Sequence, residues 1–375
     1  MVKYLICKMV FKAYGMLAAR LKNTKKAREI DEYWAAHSDD YMRECSYHKQ
    51  EQLKPLATVK KEINELFLSE KCGSTMQYVL ELYMLLGLDR LGVNIGDYIL
   101  TNEFNELQAK HQPPYAAILD NKVYTLVYLA ARGISVSRIL GQVDDLGVFR
   151  SMDGGVEQPF HEWLAGQAGP LFCKLPDGMQ GTSCFILEKE GDHYLVNGKP
   201  SSREELDALS PQLQVETVIR QHEDMAAIHP QSVNTCRIVT VCRNGKASFF
   251  TGFVLVGMGG GCVSNVHSGG MFVAFDENGQ LGSCGITSLT WGGKAYEKHP
   301  DTGVEFAKCR IPFFKDAVDL ALRAHLTMPT IRSIGWDIAI TPTGPVIIEG
   351  NRRWATAEHQ MFDGGMRKKA YEWLS

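Results

Sequence analysis

No apolar run in this sequence approaches the roughly 18 residues that a membrane-spanning helix requires, which excludes a helix crossing the bilayer. There is no Cys-x-x-Cys, and no Cys/His cluster has zinc spacing, although ten cysteines are present. Scattered in this way they read as reduced, mostly buried thiols of a cytoplasmic protein, and none is singled out as a nucleophile. Net charge is almost absent too: −3 over 375 residues offers no bulk attraction for nucleic acid. No Walker A order occurs. Gly257–Gly261 superficially suggests a dinucleotide loop, but no helix pattern follows it. Internal repeats, low-complexity tracts and nucleophile–base pairs are likewise missing.

The near-neutral total hides one asymmetry. Residues 1–28 carry eight lysines and arginines and no acid, which leaves −11 on the rest. At helical spacing Lys8, Lys12, Lys22 and Lys26 share one side, while Leu5, Ile6, Met9, Val10, Ala13, Met16 and Leu17 cover much of the remainder. This is a basic amphipathic helix suited to peripheral association with an anionic membrane surface, on its cytoplasmic inner face. The plain alternative is a helix packed on the body with a solvated basic edge. Lys8 and Lys12 interrupt what would be a signal-peptide core, and no small-residue cleavage site follows.

Three regions are expected: a helical one over 1–110, a second over 111–220 and a third over 221–375. In the first, Glu32–Cys45, Val59–Leu68 and Met76–Leu86 have helical periodicity. In the second, Asp120 reads as the N-cap of a helix over Val123–Ala131, which puts Lys122 in the first turn. A lysine there opposes the helix dipole, so it gains more from meeting an anion. Pro170–Cys173 reads as a strand ending in Lys174, Pro176–Ser183 as a Gly-rich turn and Cys184–Leu187 as the return strand. The turn offers Asp177, Gly178, Gln180, Gly181, Thr182 and Ser183, whose backbone N–H groups can cradle phosphate, and Lys174 adds a point charge. Gln214–Ile219 reads as a strand. SVNTCRIVTV and ASFFTGFVLV read as a hairpin joined at Asn244-Gly245. The polar loop Ser264–Gly270 follows, then a second hairpin turning at Asn278-Gly279 and a helix over Pro312–Leu326. A last short helix spans Gly365–Leu374.

The most informative stretch is IGWDIAITPTGPVIIEGNRRW, residues 334–354. Two apolar runs flank Thr341-Pro342-Thr343-Gly344, so it reads as a hairpin. A turn centred on Thr343 sets Asp337 opposite Glu349, and Asn351 opposite Gly335 on the same face. Ile338, Ile340, Val346 and Ile348 alternate onto the other face. Asp, Glu and Asn together on a rigid hairpin suit Mg²⁺, a hard cation that prefers oxygen ligands.

These separated segments together resemble the ATP-grasp superfamily, most closely its sugar-transfer-associated subgroup, from about Tyr115 to Met361. The matching motifs are LDNK (119–122), the Lys174 strand with its Gly-rich loop, VETVI (215–219) and SVNTCRIVT (232–240). SNVHSGG (264–270), HPDTGVEFAKCRIP (299–312) and the 334–351 hairpin complete them. The 52-residue step from Lys122 to Lys174 and the 12-residue step from Asp337 to Glu349 are similar to those of amino-acid-ligase members. The resemblance implies an α+β ATP-grasp fold, two lobes clamping ATP, preceded by a mostly helical N-terminal region. It also implies roles. Lys122 and Lys174 bind phosphate, and Asp177–Ser183 forms the lid. Glu216, Val218 and Ile219 form the hinge that reads adenine. Arg237 meets the γ-phosphate or the forming intermediate. Asp337, Glu349 and Asn351 hold Mg²⁺, with two ions expected. Asn265 and His267 border the substrate. Where many ligases have a small residue and Pro-Gly, this chain has Arg352-Arg353-Trp354; Arg352 and Arg353 either bind a substrate carboxylate or are solvated.

The activity this implies is ATP-dependent ligation of a carboxylate to an amine through an acyl phosphate, with a sugar acid or glycan precursor as one substrate. An alternative is a kinase that phosphorylates a small molecule or sugar. Another is a non-catalytic nucleotide-binding subunit of a membrane glycan assembly.

Overall fold

The protein is known as a computed structural model that describes residues 24–47, 51–69, 75–174, 184–191, 193–209, 212–260, 264, 269–288 and 293–374. The basic segment 1–23 lies outside the described residues.

The chain divides into two compact units, Met1–Leu107 with Ala355–Ala370, and Gln108–Trp354 with Tyr371–Ser375. The helices of the first half are α1 (24–36), α2 (Asp39–Glu44), α3 (Leu56–Leu68), α4 (Met76–Leu85), α5 (Thr101–His111) and α6 (Lys122–Ala130). The single helix expected over Glu32–Cys45 is two. Ser38 interrupts it, because its hydroxyl accepts the Tyr41 N–H and caps α2 instead of continuing α1. Later come α7 (Phe160–Ala165), α8 (Arg203–Leu209), α9 (Glu223–Ile228), α10 (Phe314–Leu326), α11 (Ala357–Asp363) and α12 (Arg367–Leu374).

The first unit unites segments far apart in the chain. The Gln360 side chain accepts the Ile99 N–H and donates to the Ile99 carbonyl, both at 2.9 Å. Arg367 donates to Glu103 at 2.6 Å. These bonds draw 355–370 to the N-terminal helices, a division different from the expected one at residue 110.

The second unit contains two antiparallel sheets. The first has eight strands: β1 (Ile139–Val143), β2 (Val148–Ser151), β3 (Glu157–Pro159), β4 (Leu171–Lys174), β5 (Cys184–Glu190), β6 (His193–Val196), β7 (Lys199–Ser201) and β8 (Gln214–Thr217). Their order is β3-β2-β1-β8-β4-β5-β6-β7. Val143, Phe149, Trp163, Leu171, Cys173, Leu187 and Val215 form its core, with Phe149 stacked on Trp163 at 3.8 Å. The second sheet has seven strands: β9 (Thr235–Arg243), β10 (Lys246–Val256), β11 (Met271–Phe275), β12 (Leu281–Thr287), β13 (Ala295–Tyr296), β14 (Ser333–Thr341) and β15 (Gly344–Asn351). The order is β13-β12-β11-β10-β9-β14-β15. The β9–β10 turn is the expected Asn244-Gly245, both at positive φ. Helix α10 covers this sheet with Phe314, Ala317, Leu320, Ala321 and Ala324, the i, i+3, i+4 stripe of an amphipathic helix.

The β14–β15 hairpin differs from its expected geometry in an instructive way. Its turn is the two-residue Pro342-Thr343, since Thr341 pairs with Gly344. That register, carried along unbroken, would set Asp337 opposite Ile348. Instead Ile338 pairs with Ile347 and Asp337 with Glu349, so Ile348 is the extra residue of a β-bulge. The inward partner of Ile338 is therefore Ile347, fully buried, not Ile348, which is half-buried. The space beside Gly335 is also taken: a Cβ there would lie 2.7 Å from the Trp354 Cβ.

A buried relay ties α10 to this sheet. The Trp336 indole N–H donates to the Thr240 hydroxyl at 2.9 Å, and that hydroxyl donates to His325 Nδ1 at 2.6 Å. His325 Nε2–H donates to the Ile331 carbonyl at 2.8 Å, so the ring is neutral in a fixed tautomer. Burial pushes its pKa down to about 4. In the unfolded chain the ring takes a proton near pH 6.5, in the folded one only near 4, so between these values the unfolded state binds more protons. Stability is expected to fall by about 3 kcal/mol as pH drops through that window. Urea denaturation from pH 7 to 4.5 checks this against His325→Gln, which should lack that component; an identical pH slope in the two proteins would refute it.

Candidate active site

Antiparallel pairing puts three charged residues side by side. Asp337 on β14 stands between Arg237 on β9 and Glu349 on β15, each its direct cross-strand partner. Arg237 grips Asp337 as a fork: Nε donates to Oδ1, and Nη2 donates to Oδ2 at 3.0 Å. The fourth member comes from outside the sheet. Lys122, the first residue of α6, lies with Nζ 3.0 Å from Glu349 Oε2. Two carboxylates are thus matched by two cations.

The fields are unequal. Burial alone would push Lys122 down, but the Glu349 carboxylate outweighs it and holds the ammonium above its usual pKa. Burial likewise pushes Glu349 up, yet Lys122 and then Arg237 prevail, and its pKa is lowered. Asp337 moves the other way. Burial, with Glu349 beside it, raises it against the pull of Arg237.

The N-cap of α6 is Asn121, whose side chain accepts the Tyr124 N–H at 3.0 Å, and not Asp120 as expected from the sequence. Asp120 instead receives Arg352, with Nε donating to Oδ1 at 2.6 Å and Nη2 to Oδ2. Arg353 is exposed, and Trp354 is buried with its indole N–H on Ser333 Oγ at 3.1 Å. Asn351 lies opposite Gly335, as read from the sequence. Among the described residues no group of three or more His, Cys, Asp or Glu is placed to hold a metal. Beside the Asp337 and Glu349 carboxylates stands the Asn351 amide, which helps lower the pKa of Glu349. Two carboxylates and an amide are hard oxygen donors, a set that fits Mg²⁺ and not a thiophilic metal.

The first sheet carries a second ion pair. Lys174 and Glu216, on adjacent strands β4 and β8, are almost wholly buried and pair directly. Gln214, the cross-strand partner of Lys174, donates to Glu216 Oε1 at 2.6 Å. Burial, reinforced by Glu216, pushes the neighbouring Cys173 thiol up to about 12, which makes it unreactive. Val218 and Ile219 follow the end of β8, exposed and half-buried respectively. The two ion pairs are not remote. Cys184, directly across from Lys174, is close enough to raise the pKa of Lys122. Residues 135–138 bond to both sheets: Ser137 N–H to the Ile347 carbonyl at 2.8 Å, and Thr217 N–H to the Arg138 carbonyl at 3.0 Å.

Asp177, Gly178, Gln180, Gly181, Thr182 and Ser183, with Asn265 and His267, lie outside the described residues. Sequence reasoning missed two participants, Asp120 as an ion-pair partner and Cys184 beside the lysines. The opposite charges two positions apart at Asp120 and Lys122, and three apart at Glu349 and Arg352, were the available signal for the first.

A family model described as sugar-transfer associated ATP-grasp matches residues 104–372. Among curated proteins none matches the chain. Similar solved structures include N5-carboxyaminoimidazole ribonucleotide synthetase from Thermotoga maritima, at 12% identity and TM-score 0.41, covering 72% of this chain and 55% of that one. The ATP-grasp ligase PsnB, complexed with a phosphomimetic variant of minimal precursor, Mg and ADP, gives 12% identity, TM-score 0.35, and coverage of 71% and 61%. D-alanine–D-alanine ligase from Bacillus anthracis gives 11% identity, TM-score 0.38, and coverage of 69% and 67%. The chain thus spans little over half the length of the first of these.

The buried pair in the first sheet has a direct consequence. Lys174→Met leaves the Glu216 carboxylate buried without its cation and is expected to destabilise the fold by about 3–5 kcal/mol. Glu216→Gln in the same chain should restore most of that. Urea denaturation of the two single variants and the double variant measures it; a Lys174→Met protein as stable as the parent would show that Glu216 does not depend on the lysine.

Proposed function

The chain belongs to the sugar-transfer-associated ATP-grasp family, and from that premise we propose that it is an ATP- and Mg²⁺-dependent carboxylate–amine ligase. The observation that carries this reading is the four-charge cluster on rigid elements: Asp337 and Glu349 face each other, with Arg237 and Lys122 at hydrogen-bond distance. A site built this way can offer carboxylates to a metal and cations to phosphates.

In this reading Asp337, Glu349 and Asn351 would hold Mg²⁺. Bound there, the metal supplies neutralisation of charge on the phosphate oxygens. Lys122, Lys174 and Arg237 bind and orient the triphosphate and stabilise charge as the γ-phosphoryl group passes to a substrate carboxylate. An amine then attacks the acyl carbon of the acyl phosphate and displaces inorganic phosphate, forming an amide. Glu216 and the segment around Val218 and Ile219 would read adenine. No protein nucleophile is required, which agrees with the raised pKa values of Cys173 and Cys236. The sugar transfer in the family's description is the ground for a glycan precursor or sugar acid as one substrate. Arg353, exposed just past β15, is a candidate to meet its anionic group.

Glu349→Gln should remain folded by circular dichroism and lose ATP turnover by about 10²–10³-fold. ADP release is followed over paired amino acids and uronic acids. Release that needs both a carboxylate and an amine supports the ligase; a stable phosphorylated product without an amine makes the protein a kinase. Near-normal turnover in Glu349→Gln would defeat the metal assignment.

Among the described residues no helix is long and apolar enough to cross a membrane. Peripheral attachment through the basic residues 1–28 remains part of the proposal. The full chain is expected to sediment with vesicles rich in anionic lipid, and a chain lacking residues 1–28 to stay in the supernatant. Failure of the full chain to sediment rules the attachment out.

A further inference from the structure

Asp120 and Lys122 stand two residues apart at the start of α6, and Glu349 and Arg352 three apart at the end of β15. Their charges interlock as two neighbouring ion pairs, Lys122–Glu349 at 3.0 Å and the forked Asp120–Arg352. Between them Asn121 fixes the backbone by capping α6. The Asp120 side chain is 53% exposed and that of Arg352 25%, and ion pairs this exposed add little to stability. A guanidinium–carboxylate fork is nonetheless directional, because two parallel bonds fix orientation where one does not. Its effect falls on the next residue but one, Lys122. That lysine's own partner, Glu349, is also the carboxylate that the proposed reading gives to the metal, so Lys122 must serve two anions from one backbone position.

We propose that the Asp120–Arg352 pair is a positioning clamp, which holds the first turn of α6 against the end of β15 so that Lys122 reaches both Glu349 and a nucleotide phosphate. This inference rests on the nucleotide reading above, and gives Arg352 a role through Lys122 in place of contact with substrate. Isothermal titration calorimetry with Mg·ADP on the full chain tests it. Arg352→Ala and Asp120→Asn should each weaken binding about tenfold, with the urea midpoint unmoved. In a Lys122→Met background, which itself binds more weakly, the same two changes should have no further effect, because the residue they position is gone. Undiminished losses in that background would mean that Arg352 meets the ligand itself and would overturn the clamp. Unchanged affinity in Arg352→Ala overturns it as well. The unsubstituted protein is measured first: if it does not bind Mg·ADP, the nucleotide reading falls and the clamp with it, whereas binding that ignores Asp120 and Arg352 removes the clamp alone.

Discussion

Two carboxylates set directly across an antiparallel pair, and largely withdrawn from water, repel each other unless something positive stands beside them. Asp337 and Glu349 are in that position, and the arrangement around them follows from the need for compensation. Arg237 occupies the strand on the far side of Asp337, where its fork reaches both oxygens. Among the described residues the outer edge of β15 is met only by the short 135–137 segment at Ile347, so Glu349 draws its cation from off the sheet, and α6 presents Lys122 to it. A lysine in a first helical turn opposes the helix dipole. That local disadvantage is offset by a half-buried carboxylate 3.0 Å away.

The same constraint explains the bulge. Ile338 and Ile347 need the core, and Asp337 and Glu349 need the opposite side. From Ile338 to Asp337 is one residue; from Ile347 to Glu349 is two. A regular ladder keeps one residue per step on both strands, so it cannot satisfy both requirements. The extra residue, Ile348, lets β15 place an isoleucine inward and a glutamate outward. The bulge is thus the price of having both a core and a charge site on one short hairpin.

Much of this was legible in the sequence, for reasons that differ between elements. The Asp337–Glu349 pairing was read from a turn centred on Thr343; the true turn is one residue shorter, and the bulge restores the pair. Nothing local in Val346-Ile347-Ile348 marks which isoleucine goes inward, because that depends on packing against α10 and β14. The cap of α6 was placed one residue early because Asp and Asn are almost equal as caps, and only the demand of Arg352 for a carboxylate separates them. Strands β1–β3 were not seen, since ILGQV and VFRS are short and carry little alternation. The attachment of Ala355–Ala370 to the N-terminal helices was hidden for another reason. It rests on single side chains, Gln360 and Arg367, bonded to residues more than 200 positions earlier. The lid and Asn265–His267 remain sequence readings.

The segment after Asn351 is Arg352-Arg353-Trp354. Each of its three residues has a separate environment. Trp354 turns back into the protein and takes the volume that Gly335 leaves open, so the glycine and the tryptophan depend on each other: any Cβ at 335 would strike the Trp354 side chain. Arg352 is drawn the other way, to Asp120. Arg353 between them is left exposed. The chain bends at Arg352 and Arg353, so the anchors at 352 and 354 take separate partners, Asp120 and Ser333. Arg352 and Trp354 are thus committed to partners within the protein, while the Arg353 side chain faces solvent.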